Sequence, residues 1–432
     1  MKVLKFGGTS VGSVENMTRV KDIINNGEKK IVVLSAMSGT TNSLVSISED
    51  IADNKPDSAL EKIDKLYKTY LDTIDRLISN NDSVKTYVSD VFEILKTSAK
   101  QQHTIHLENT ILSKGELLST YMFNAYLEQE GISSTLLSAL DFMRIDADKE
   151  PDMSYIEKAF KNVLDSSKDV DVYITQGFIC LDHEDNISNL QRGGSDYTAT
   201  IIGASIKAEE VQIWTDIDGM HNNDPRYVDN TKPIPNLSFD EAAELAYFGA
   251  KILHPKTVAP VRKDNIPVRL KNTMNPKADG TFIGDVTIET GVKAIAAKDH
   301  IIAIKIKSGR MLLAYGFLKK IFEIFEHHKT PIDMITTSEV AVSLTIDDDT
   351  FLDDIVNELE KIAFVEIDKN QSIICLVGHS VTKHKNTYKL FQVLKDVKIR
   401  MISYGGSNNN ISLLVNNNDK IETLRKLNDY LF

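Results

Sequence analysis

The chain has 432 residues, 42% of them hydrophobic and 26% charged, with a formal net charge of −12. That length allows two or three hydrophobic cores. The acidic balance argues against nucleic acid or an anionic membrane surface as the main partner, although local Lys and Arg clusters still suit an anionic substrate. The two cysteines, Cys180 and Cys375, lie far apart in apolar runs. They read as buried free thiols in a reducing cytoplasm and give no metal-site pattern. No apolar run approaches the ~20 residues needed to cross a bilayer. No long apolar core precedes Gly7-Gly8, so no signal peptide is expected.

Residues 2–6 read as a short buried strand. Gly7-Gly8-Thr9-Ser10 follows, then a helical stretch over 14–24. Lys5 lies at the strand's end, where its ammonium can reach over the glycine loop. Residues 30–34 repeat the pattern, leading through the small-residue loop 35–42 into another apolar-periodic stretch. Between 57 and 79, apolar positions from Leu60 to Leu77 recur at helical spacing, an excursion at the sheet's edge. Ser154 and Glu157 form a capping box that starts a helix through Leu164, and 170–174 reads as a strand.

Arg192-Gly193-Gly194-Ser195-Asp196 then sits where a loop feeds a helix. An Arg can clamp a carboxylate or phosphate through two parallel bonds. Paired glycines let backbone approach a ligand, and a helix start favours anions. The same residues also read as a glycine turn capped by Ser195 or Asp196, with Arg192 in solvent. Three small-residue loops, each leading into a helix, point to a site for a highly charged anion. No P-loop, dinucleotide fingerprint or protein-kinase motif set is present, so any phosphates are held by another scaffold. Trp214-Thr215-Asp216 ends a further strand. Ser238 and Glu241 form a second capping box, whose helix stops before His254-Pro255.

Alternating strands and helices to about residue 290 imply an α/β domain with a mostly parallel sheet. The pattern then changes. Residues 332–338 and 399–405 look like copies, each preceded by an amphipathic helix and followed by a strand and another helix. This is an internal repeat of roughly 70 residues. Its βαββαβ order matches a ferredoxin-like unit. The second copy lacks a last strand, which residues 292–297 are expected to supply.

These segments resemble aspartokinases. The likeness is carried in order by KFGGTS (5–10), SAMSGTTN (35–42), NLQRGGSDYTA (189–199), WTDIDGM (214–220) with DPR (224–226), and ELAYFGAKILHPKT (244–257). It continues through IPVRLKNTMNPKADGT (266–281), TTSEVAVSLTID (336–347) and SYGGSNNNISLLV (403–415). The TTSEV segment is most similar to the monofunctional, lysine-sensitive type. The resemblance implies an amino-acid-kinase fold over 1–290 followed by two ACT modules. The first would span 307–372; the second would be discontinuous, 291–306 with 373–432. It implies transfer of the γ-phosphoryl group of ATP, with Mg²⁺, to the β-carboxylate of L-aspartate. A homodimer or tetramer built through the ACT modules would follow.

Carried over residue by residue, Lys5, Arg192 and Asp196 would be catalytic. Ser38, Thr41, Glu116, Arg192 and Ser195 would bind aspartate, with Glu116 on its ammonium and Arg192 on its α-carboxylate. Lys5, Gly7, Gly8, Ser10, Thr215, Asp216, His221, Arg226 and Lys251 would hold the nucleotide. Met311, Phe317, Leu318, Asp333, Thr337 and Ser338 fall where an amino-acid effector, L-lysine in the related type, would bind. Two positions depart from the pattern: Gln191 replaces a usual Gly and His221 a usual Tyr. A silent amino-acid sensor on the same scaffold, or a kinase with another acceptor, are the alternatives.

Overall fold

The apolar runs at 2–6 and 30–34 are buried along almost their whole length. Strands covered by helices on both faces read this way. The computed structural model describes residues 1–190, 193–249, 253–285, 290–308, 315–383 and 387–432. They fall into two units. The first comprises the described residues of 1–220, 235–239 and 252–286; the second comprises those of 221–234, 240–251 and 287–432.

The strands of the first unit are β1 (Lys2–Phe6), β2 (Lys30–Leu34), β3 (Ser134–Leu137), β4 (Val172–Gln176), β5 (Ile179–Leu181), β6 (Ile187–Asn189), β7 (Val211–Thr215), β8 (Asn236–Leu237), β9 (Val268–Asn272) and β10 (Thr281–Ile283). Eight of them form one sheet in the order β3-β4-β2-β1-β7-β9-β10-β8. It is parallel from β3 through β9. β5 and β6 make a separate hairpin. The helices are α1 (Val14–Ile24), α2 (Thr40–Ala52), α3 (Pro56–Leu77), α4 (Asp82–Ser98), α5 (Ile105–Gln129), α6 (Met153–Ser166), α7 (Gly194–Ser205), α8 (Phe239–Tyr247) and α9 (Ala259–Arg262). Most of α8 groups with the second unit, although the chain places it between first-unit strands. α3 and α4 pack through Tyr67 and Tyr70 against Phe92, with ring centres 4.9 and 5.9 Å apart. Two helix starts differ from expectation. α6 is capped by Asp152, whose side chain accepts from Tyr155 N–H at 3.1 Å, rather than by Ser154. α7 starts at Gly193, so Ser195 and Asp196 lie inside its first turn.

In the second unit, β11 (Gly291–Lys307), β12 (Ile335–Thr337), β13 (Ala341–Ile346), β14 (Phe364–His379), β15 (Ile399–Tyr404) and β16 (Asn410–Asn416) form one antiparallel sheet, ordered β12-β13-β11-β14-β16-β15. Its helices are α10 (Phe317–His327), α11 (Leu352–Glu360), α12 (Thr387–Val393) and α13 (Lys420–Leu431). β11 and β14 are long enough to serve both repeats. Ile302, Ile304 and Ile306 pack under Phe317, Ile321 and Leu359. Ile295, Ile374 and Leu376 pack under Leu390, Leu424 and Leu427. Strand alternation alone would turn one of these sets outward. The register shifts between Lys298 and Ile301, and again between Ile301 and Ala303, with His300 and Asn370 at positive φ. Between the two cores each long strand therefore bulges by one residue, which resets the alternation and keeps both cores supplied; β11 bulges once more between Val292 and Ala294.

Candidate functional site

β1, β2, β4 and β7 run parallel, so their carboxyl ends open on one edge of the sheet. β2 lies on one side of β1 and β7 on the other. The crossovers therefore diverge at β1, where α/β sheets form ligand crevices. A cleft of about 580 Å³ lies there. Its walls include Lys5, Gly8, Ser38, Thr41, Glu116, Ser195, Asp196, Thr215 and Asp216, all named from the sequence. Thr9, Met37, Asn42 and Phe178 line it too. Thr9, Met37 and Asn42 belong to the two small-residue loops already singled out, whereas Phe178 carried no signal. Phe178 is set by its turn: its φ is +67°, and its N–H donates to Thr198 Oγ1 at 3.0 Å.

The two acidic walls differ. Lys5, 9% exposed, ion-pairs with Asp196 Oδ1 at 2.7 Å. Glu116 comes from mid-α5 and is 3% exposed. Its Oε1 accepts from Ala36 N–H at 3.2 Å, while Oε2 is buried with no partner among the described residues. Burial pushes its pKa from the usual 4.5 up to about 7, against the pull of the Ala36 N–H and of the Lys5 charge. One turn on, Ser119 Oγ donates to Ser35 C=O at 2.8 Å, so α5 fixes the second loop at two points.

The three loop-to-helix junctions are not equivalent. α1 is capped by its own Ser13, whose side chain accepts from Asn16 N–H. α2 and α7 have Gly39 and Gly193 at their N-caps, both at positive φ, and among the described residues no side chain caps either. Thr40 N–H of α2 is bonded to Met37 C=O at 3.0 Å, and the remaining first-turn N–H groups are available to a ligand or water. At Gly193 (φ +72°) a Cβ would come within 2.7 Å of His254 Cβ. Gly193→Ala is therefore expected to cost more than about 1 kcal/mol, through left-handed strain and the clash, read as a lowered midpoint in urea unfolding.

Other expected residues lie elsewhere. Ser10 is fully buried, and its hydroxyl shares a 2.7 Å bond with Thr273, so it does not face the cleft. Gly7 lies beside Lys5, its N–H bonded to Trp214 C=O. His221 and Arg226 belong to the second unit. His221 Nδ1 lies 3.0 Å from Thr231 Oγ1. Arg226 is held as a fork on Asp224, at 2.9 Å from Nε and 2.5 Å from Nη2. Burial pushes the Asp224 pKa up, but the Arg226 bonds outweigh it and hold the carboxylate low. Arg192 and Lys251, like Gln191, lie outside the described residues.

Of the effector candidates, Met311 also lies outside the described residues. Phe317 is packed in the core under α10, whereas Leu318, Thr337 and Ser338 are exposed. Asp333 is enclosed, its side chain 1% exposed and paired with Lys298 at 2.7 Å. Among the described residues, no helix is long and apolar enough to cross a membrane.

Comparison with known proteins agrees with this architecture. The amino acid kinase family model matches residues 1–272, and an ACT domain model matches 374–431. Aspartokinase 1, chloroplastic, of Arabidopsis thaliana is 37% identical over 439 residues, covering 96% of this chain and 77% of that protein. Lysine-sensitive aspartokinase 3 of Escherichia coli is 33% identical over 447 residues, covering 100% and 99%. The crystal structure of E. coli aspartokinase III with aspartate and ADP (R-state) superposes with a TM-score of 0.89 at 32% identity, over all of both chains. The lysine and aspartate complex of the same enzyme (T-state) gives 0.80 at the same identity, over 100% of this chain and 99% of that one. The chain thus shares its overall fold with these proteins along its whole length, and it belongs to the aspartokinase family.

Proposed function

We propose that this protein is an aspartate kinase, transferring the γ-phosphoryl group of ATP to the β-carboxylate of L-aspartate to give 4-phospho-L-aspartate, and that lysine inhibits it. The observation that carries the reading is Glu116. It lines a cleft otherwise furnished for anions, by Lys5 and two helix starts without a side-chain cap, and one of its carboxylate oxygens is buried with no partner among the described residues. An amino-acid acceptor beside a triphosphate calls for that combination: one carboxylate for the ammonium and donors for everything else.

The acceptor carboxylate is ionised at neutral pH, so no general base is required. The work is to bring two anions together and to stabilise charge on the transferring group. In this reading Glu116 binds the substrate ammonium. Ser38, Thr41 and Ser195 orient its polar groups, and Arg192 takes the α-carboxylate. Lys5 neutralises the transferring phosphoryl group beside Gly7 and Gly8. Thr215 and Asp216 meet the nucleotide; His221, Arg226 and Lys251 keep the nucleotide roles that the resemblance gives them. Mg²⁺ takes few carboxylates and retains phosphate and water ligands. Asp196 and Asp216, the two aspartates lining the cleft, fit that demand. The ion would supply charge neutralisation on the phosphates.

Lysine sensitivity rests on the similarity to the E. coli enzyme, solved once with aspartate and ADP and once with lysine and aspartate. Assembly as a dimer or tetramer is assigned to the repeat sheet. There Phe364, Ile367 and Ile402 are exposed apolar residues on strands, a pattern typical of contact surfaces. A reducing cytoplasm suits two buried free thiols, and burial pushes the Cys180 pKa up to about 12.

The test is an ATP- and Mg²⁺-dependent assay on L-aspartate, trapping the acyl phosphate as its hydroxamate, with and without L-lysine. Hydroxamate that lysine suppresses is the expected result. Hydroxamate indifferent to lysine would remove the effector assignment. A folded, ATP-binding protein that gives no product with any amino acid would make the chain a sensor instead.

A further inference from the structure

The second unit encloses a charged cluster that the phosphoryl-transfer chemistry does not use. Asp333 Oδ1 receives the Lys298 ammonium at 2.7 Å and the Tyr247 hydroxyl at 2.9 Å. Its Oδ2 is buried without a partner among the described residues. Lys298 also reaches Asp347 Oδ2 at 2.8 Å and lies 4.5 Å from the centre of the Tyr247 ring. Burial pulls the Lys298 pKa down, but its bonds to the two aspartates outweigh that and raise it. Burial pushes Asp333 up against the pull of Lys298. Two carboxylates thus share one ammonium, and one buried oxygen remains unpaired.

The aromatic partner ties this cluster to α8. Tyr247 is the last residue of that helix. α8 is anchored to the same unit by Glu241 on Lys293 at 3.0 Å and by Glu244 on Asn410. At Gly249 (φ +118°) a Cβ would fall 2.0 Å from the Ala297 carbonyl oxygen. Ala297 is the residue before Lys298, so the end of α8 and the Lys298 segment form one contact set.

Resting on the effector reading above, we propose that Lys298 is a tethered stand-in for the effector's ammonium. In the empty protein Lys298 holds Asp333. An arriving amino acid takes that carboxylate by pushing Lys298 back onto Asp347, where it already has a partner. The exchange strips Tyr247 of its hydroxyl acceptor and of the ammonium on its ring face. Lys298 thereby sets effector affinity, and Tyr247 passes the exchange to α8. An ammonium that approached Oδ2 with Lys298 still in place would stand beside a like charge in a half-buried setting. Both routes carry the same sign: Lys298 opposes the effector.

The experiment is equilibrium dialysis of radiolabelled L-lysine against the full chain, alongside lysine titration of the kinase assay. Lys298→Met keeps the stem and removes the charge. It is expected to bind lysine about tenfold more tightly than wild type. Lys298→Arg keeps the charge and should match wild type. Tyr247→Phe should bind about two- to fivefold more tightly, since it frees Asp333 of one bond. It should nonetheless be inhibited less completely at saturation, a split that mere loss of packing does not produce. Wild type that binds lysine while Lys298→Met binds it equally or more weakly overturns the proposal and leaves the effector reading intact. Absence of lysine binding in every form, wild type included, removes the effector reading and the proposal with it. If Lys298→Met fails to fold by circular dichroism, Tyr247→Phe decides: unchanged affinity with full inhibition overturns the proposal.

Discussion

Replacing Lys5 with methionine is expected to lower kcat/KM for aspartate phosphorylation by about two to three orders of magnitude, the usual cost of losing one preorganised charge at a phosphoryl or oxyanion site. The stem of Lys5 lies in β1 between strands on both sides, and methionine fills the same volume. The fold should therefore persist, with the melting temperature lower by only a few degrees. Two effects add at the site. The cation facing the transferring group disappears, and Asp196, paired with it at 2.7 Å, becomes an uncompensated anion in a cleft that must accept phosphates. The second effect can be separated from the first. Lys5→Met with Asp196→Asn should recover part of the lost ATP affinity but not kcat, because only the repulsion has been relieved. A single variant whose kcat/KM stays within about threefold of wild type would remove Lys5 from the chemistry.

Glu116→Gln is expected to separate binding from stability. Loss of a buried charge partner for the substrate ammonium costs about 2–3 kcal/mol, which is roughly a 30- to 150-fold rise in the KM for aspartate. The empty protein should become more stable at alkaline pH. The Glu116 pKa is raised from the usual 4.5 to about 7 by burial. The stability tied to its neutral form is complete below pH 4.5 and is lost as the pH climbs through 7. Glutamine, which never ionises, escapes that loss, worth about 3 kcal/mol at pH 8. Urea unfolding of both proteins at pH 5 and pH 8 measures the difference directly. It should be small at pH 5 and large at pH 8. Aspartate affinity of the wild type should rise with pH through 7 and then level, as Glu116 ionises, while the glutamine variant shows no such rise. Equal stability of the two proteins at pH 8 would mean that Glu116 is already compensated in the empty cleft.

Much of this site was legible because its parts are local. A strand, a run of small residues and a helix occupy consecutive positions at 2–24 and 30–52, and the cleft forms where such junctions meet. Glu116 was named by resemblance alone, since a Glu within a long helix has no distinguishing spacing. Which junctions remain uncapped was not legible. Ser13 closes α1, while Gly39 and Gly193 leave α2 and α7 without a side-chain cap, and only backbone angles decide this. Ser10 shows the converse. Its place in the glycine loop suggested a ligand contact, but tertiary packing turns it onto Thr273, 263 residues away. Phe178 and Lys298 gave no sequence signal either. One depends on a positive φ in a turn, the other on the end of a helix and a loop residue brought to its strand from distant parts of the chain.

The bulges in β11 and β14 also constrain how the repeat sheet can move. A ribbon that feeds two cores cannot slide by one residue without exposing apolar side chains in both at once, so register shifts are closed to it twice over. What remains is bending, and between the two cores the ladder is interrupted at 298–303. Lys298 stands at the first residue of that interruption. The charge that guards Asp333 is therefore mounted at a joint between the two cores of the ribbon, where a small change in partner is well placed to become a change in curvature.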